Sequence, residues 1–195
     1  MKDWDLNFAP SYTPKQMLEE GVFEGKYINA IKGLPAAWYK LPKVLGPKEE
    51  PDVSLNKYEI KSRQPLSVWK KNGWTTKDSP NGWFEWYCLY YEGRRLEEED
   101  KWQIARWRSF VARHMGQLVT HCGLKDETKC TKQRQGLLQW GWDSTTKYTL
   151  ERRLSNLKKL GVSVDKKELE EWEENKGKKK VTKESMVVLP PWVKW

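Results

Sequence analysis

The stretch GWFEWYCLYYEGRR, residues Gly82 to Arg95, decides the fold. Six aromatic rings occupy its first ten positions, and two arginines close it. Trp83, Trp86, Tyr87, Tyr90 and Tyr91 follow the i, i+3, i+4, i+7, i+8 rhythm of one helical face. Phe84 and Cys88, four apart, carry apolar surface further round. The spacing therefore predicts a central helix that is buried on most sides and ended by Gly93. Its rings are core first, although Tyr90 or Tyr91 near Arg94 would suit a surface stacking platform for bases.

On the C-terminal side, Glu97–Asp100 ("EEED") opens a second helix, where carboxylates suit the dipole. Ile104, Trp107, Val111, Met115, Leu118 and Cys122 form its buried stripe, and Gly123 stops it. A loop leads to KQRQGLLQWGWDS, with Leu137, Leu138, Trp140 and Trp142 as the buried set. TLERRLSNLKKLGV is a further helix, with Leu150, Leu154, Leu157 and Leu160 as its stripe. Asp165 and Glu168 make a capping box for another. KGKKKVTKES reads as a solvated linker and MVVLPPWVKW as an apolar tail.

On the N-terminal side the chain is punctuated by breakers. Thr13-Pro14 starts a short helix that Gly21 closes. GVFEGKY reads as a turn, LPAAWYKLP as one helical turn, and LGPKEEPDVSLNK as a surface loop. QPLSVWKKNGW gives a short helix ending at Gly73. The expected fold is mainly α: a compact single-domain helical bundle with a Trp/Tyr-rich core and long loops in the N-terminal third. Residues 1–146 form that domain, and residues 147–195 a C-terminal helical extension.

Mean hydropathy of −0.90 and 32% charged residues would fit disorder, but 13% aromatics, thirteen of them Trp, oppose it. Cys88, Cys122 and Cys130 are odd in number and show no paired spacing. With no apolar run at the start, they suggest a reducing, intracellular setting, cytoplasm or nucleus. No stretch approaches the ~18 apolar residues that would cross a bilayer.

GVFEGKY, QPLSVWKKNGW, GWFEWYCLYYEGRR, QIARW and RQGLLQWGWDS occur in this order. Together they resemble a family of hypothetical proteins of phages, large viruses, bacteria and microbial eukaryotes. The resemblance covers roughly residues 12–146 and implies that 147–195 is an appendage on a shared unit. It implies no activity. Leu89 departs from the family pattern, in which the block often has Arg at that place.

Charge is unevenly spread. Residues 1–100 carry 15 Lys/Arg against 16 Asp/Glu, whereas residues 101–164 carry 13 against 4. One basic segment beside a neutral one points to a polyanionic partner, DNA or RNA. The candidate phosphate contacts are Arg94, Arg95, Arg106, Arg108, Arg113, Lys132, Arg134, Arg152 and Arg153, because guanidinium forks suit phosphate oxygens. The plainer alternative pairs Arg94 and Arg95 with Glu97–Asp100 and leaves the others to solvate helices. Glu85 and Asp143 are acids in ring-rich surroundings, candidates for acid–base groups of an enzyme on nucleic acid or nucleotides. The plainer alternative pairs each with an arginine. The spacing of His114, His121, Cys122 and Cys130 does not suit zinc, and no metal or cofactor is expected.

Three functions stay open. The first is a nucleic-acid-binding protein using a basic helical face; the second is the enzyme. The third is a viral or scaffold assembly protein, with the virion as one location, that grips a protein partner through the 186–195 tail.

Overall fold

The computed structural model describes residues 3–61 and 64–164. Among them are six α-helices and no strand: α1 (Pro14–Glu19), α2 (Leu66–Lys71), α3 (Trp83–Tyr91), α4 (Glu97–His121), α5 (Thr131–Gln139) and α6 (Leu150–Lys159). Three short 3-10 turns, Ile28–Ala30, Ala36–Lys40 and Val53–Leu55, punctuate the long N-terminal loops. The second capping box, the basic linker and the apolar tail lie outside the described residues.

Several helix ends have a local reason. Thr13 caps α1 in a full capping box with Gln16, and Pro14 takes the first position. Gly82 starts α3 at φ 91°, and a Cβ there would lie 2.7 Å from Trp69 Cε3. Only glycine lets α3 begin so close to that ring. α4 opens on four consecutive acids. Two of these are buried, Glu99 and Asp100.

The core is one cluster of rings and aliphatic side chains. Its hub is Phe8, from an N-terminal segment with no helical periodicity. Phe8 is fully buried and meets Trp4, Trp83, Trp86, Tyr87, Tyr90 and Trp107 at centroid distances of 5.0–6.4 Å, mostly edge-on. Edge-to-face packing suits the ring quadrupoles. Several polar ring atoms are tied off as well: Tyr87 donates to Tyr12 O at 2.7 Å, Trp107 to Trp140 O at 2.8 Å, and Trp4 to Phe8 O at 2.7 Å, whereas Trp83 Nε1 is buried with no partner among the described residues.

All six stripe residues of α4 are buried, as the periodicity predicts. α6 is rotated from its predicted stripe. Leu150 and Leu154 are half-buried, while Arg153, Asn156, Leu157 and Leu160 face the core. The reason is polar: Asn156 Nδ2 donates to Ala9 O at 3.1 Å and Arg153 donates to Leu6 O at 3.1 Å, docking α6 on the N-terminal segment.

The expectation of three unpaired cysteines is corrected. Cys122 and Cys130 form a disulfide, their Cα atoms 6.3 Å apart. Cys122 ends α4 and Cys130 precedes α5, so the chain reversal between the helices brings them within bridging range. Cys88 is free and buried, and burial pushes its thiol well above the usual range.

Candidate functional site

Of the nine cationic candidates, Arg108, Arg113 and Lys132 are exposed. The other six are at least partly buried and held by the protein itself, and Arg113, though exposed, has a partner as well.

Arg94 turns back from the end of α3. It donates to Asp78 O at 2.6 Å and Ser79 Oγ at 2.8 Å, and pairs with buried Glu99 at 3.1 Å. The pairing of Arg94 with the acidic run of α4 is thus the plainer alternative realised. Arg95 does otherwise. Its guanidinium lies 3.8 Å from the centroid of Tyr90 and donates to Asp3 O at 3.0 Å.

Arg106 lies between Trp102, 4.4 Å away, and Trp140, 5.5 Å away. Burial lowers its guanidinium to about 10. Trp140 stacks in turn on Phe110 at 4.6 Å, and Phe110 on His114 at 4.1 Å. Trp102, Arg106, Phe110 and His114 are four apart on α4, so one row of the helix carries three rings and a single cation, with Trp140 packed against both Arg106 and Phe110.

Arg134 and Arg153 were expected on a basic face and are instead buried. Arg134 has no exposed surface and donates to Gly123 O, Leu124 O, Asp126 O, Lys129 O, Ser144 O and Ser144 Oγ at 2.5–3.4 Å. It clamps the disulfide loop. The carbonyls of that loop replace the water that a buried guanidinium would otherwise lose. Arg153 sits against Tyr148 as well as Leu6 O.

Glu85 and Asp143 separate in role. Glu85 is buried in the first turn of α3 and its Oε2 accepts from Asn81 N at 2.7 Å, a helix-start bond. Asp143 lies on a pocket of about 270 Å³ lined by Ser11, Tyr12, Thr13, Gln16, Asp143, Arg152, Lys159 and Leu160.

Backbone pairing builds this pocket. Gly141 O accepts from Ser11 N at 2.7 Å, which sets the Ser11–Thr13 segment against the Asp143 turn. Asp143 N donates to Ser11 Oγ at 3.1 Å, and Asp143 Oδ1 accepts from Thr145 N and Oγ1 at 2.9 and 2.7 Å. Asp143 Oδ2 faces Arg152 at 3.4 Å. Lys159 follows Arg152 by seven residues, two turns along the same face of α6. Burial, then the Asp143 carboxylate, raises the Tyr12 phenol above its usual range, so it remains protonated and able to donate.

Sequence reasoning missed Ser11, Tyr12 and Lys159. For Lys159 a signal existed, the i, i+4, i+7 alignment of Arg152, Asn156 and Lys159. For Ser11 and Tyr12 there was none, since their place depends on a contact with a turn 130 positions on. No family model, curated protein or solved structure matches the chain.

Proposed function

We propose that the chain binds polyanions, with nucleic acid the fitting class, through mainly phosphate contacts of residues 101–164. One observation carries this reading. With six candidate cations turned inward, the exposed residues of that segment still include nine Lys/Arg and a single Asp/Glu, Glu151. Arg108 and Arg113 on α4 are joined there by lysines rather than by the arginines expected from sequence. Arg108 lies near enough to Arg153 for their charges to repel, so α4 and α6 bring positive charge together. Such a surface holds phosphates by point charge and carries no base code.

The test is anisotropy titration of duplex DNA, single-stranded DNA and RNA between ~50 and ~200 mM salt. Six phosphate contacts on a duplex give a log–log slope of about −5. Replacing Arg108 and Arg113 together by Gln lowers that slope by about 2. No binding at ~50 mM salt defeats the reading.

One observation favours the second reading, an enzyme on nucleic acid or nucleotides: Asp143 sits on a pocket beside Arg152 and Tyr12. Its test is Asp143→Asn against any activity found by screening nucleotides and oligonucleotides. Full activity in that variant removes it.

A further inference from the structure

We propose that the pocket between α1, the Asp143 turn and α6 is a seat for a phosphate monoester. The proposal stands on the pocket's own hydrogen-bond inventory and does not depend on the polyanion surface.

The fold has engaged the acceptors on the wall. Asp143 Oδ1 takes two bonds from Thr145, and Asp143 Oδ2 takes one from Arg152. Ser11 Oγ accepts from Asp143 N and from Asn156 Nδ2, at 3.1 and 3.3 Å. Thr13 Oγ1 and Gln16 Oε1 are taken up by the α1 capping box at 3.2 and 2.9 Å. Tyr12 O accepts from Tyr87.

The donors are left over. Arg152 reaches Asp143 with one nitrogen at 3.4 Å, while its Nε is buried with no partner among the described residues. Lys159 brings an ammonium to the same wall, and the Ser11 hydroxyl, having accepted twice, keeps its own proton to give. The rest of the Arg152 fork, which makes no other bond among the described residues, is left to donate to an anion in the pocket.

Charge and shape select the anion. Two cations against one carboxylate leave one net positive charge, which favours an anion, and a phosphate monoester carries about −1.5 to −2 at pH 7. Its three oxygens give separate acceptors to Arg152, Lys159 and Ser11, where a carboxylate would satisfy the arginine alone. A volume of about 270 Å³ holds a sugar phosphate and is small for a dinucleotide. The source is either a free phosphorylated small molecule or the terminal phosphate of a nucleic-acid strand.

The experiment is calorimetric titration of the full chain with ribose 5-phosphate and with inorganic phosphate. Ribose 5-phosphate is expected to bind, and Lys159→Gln and Arg152→Gln each to weaken it at least about tenfold. Lys159 is exposed, so its variant keeps the test valid if the arginine variant fails to fold. Competition then separates the sources. A strand end as ligand displaces ribose 5-phosphate when 5′-phosphorylated and not when 5′-hydroxylated, whereas a small-molecule seat is displaced by neither. No binding to the native chain at about 10 mM, or equal binding in the folded variants, overturns the proposal. Loss of oligonucleotide binding with ribose 5-phosphate binding retained would remove only the polyanion surface.

Discussion

The indole of Trp86 donates to Asp100 Oδ1 at 2.7 Å, and the other carboxylate oxygen accepts from Leu96 N at 2.8 Å. One buried side chain therefore fastens the aromatic helix α3 to α4 and caps α4 as well. Asp100→Ala leaves an indole N–H and a backbone N–H without partners and is expected to cost about 2–4 kcal/mol. Asp100→Asn, which keeps one acceptor, costs less. Urea unfolding curves of the two variants check both the size and the order.

Arg134 spends its donors on the disulfide loop and on Ser144. Lysine offers a single ammonium in place of a fork, so Arg134→Lys is expected to lose about 3 kcal/mol despite its equal charge. Amide exchange of residues 123–129 accelerates with it. Unchanged exchange in that loop would refute the clamp.

One pair and one free thiol set a simple count. Labelling the unfolded chain without reductant is expected to find a single reactive cysteine, Cys88, and to find three after reduction. Closing so short a loop contributes about 2–3 kcal/mol, which reduction or Cys130→Ser removes. Three reactive thiols in unreduced protein would refute the bridge.

His114 gives a pH window. Burial, then the charge of Arg113, holds its folded value below the ordinary ~6.5, and Gln133 Nε2 lies 3.1 Å from its Nδ1, a contact that suits the neutral ring. The unfolded chain thus binds a proton before the native one does. Stability is full above about 6.5 and falls as pH drops from there towards the lower folded value. His114→Gln flattens this slope just below about pH 6.5, above the range in which Asp126 and Glu127 titrate. A slope unaltered in that variant assigns the loss elsewhere.

How far the sequence could be read depended on how local each cause is. The α4 stripe, the Thr13-Pro14 start of α1 and the Gly93 end of α3 were legible because each is written within a few residues. Phe8 was not, for its segment lacks periodicity and its six ring partners come from three separate stretches. Arg134 and Arg153 were misread as surface cations by residue type alone. Their register was informative: Arg134 precedes Leu137 and Leu138 by three and four, and Arg153 precedes Leu157 and Leu160 by four and seven. Both occupy the apolar face, and only the acceptors that make this tolerable, carbonyls of distant loops, were beyond reading. The disulfide was missed for a similar reason, since a separation of eight does not announce that two helices reverse there.

The bond from Asn156 to Ala9 spans 147 residues, as does that from Arg153 to Leu6. In synthesis the Leu6–Ala9 segment thus waits for partners made 147 residues later. The rings around Phe8 are all present once Trp107 has been made, but the carbonyls of Leu6 and Ala9 meet these partners only when α6 closes over their segment, so a chain cut short before α6 leaves that segment without its final cover.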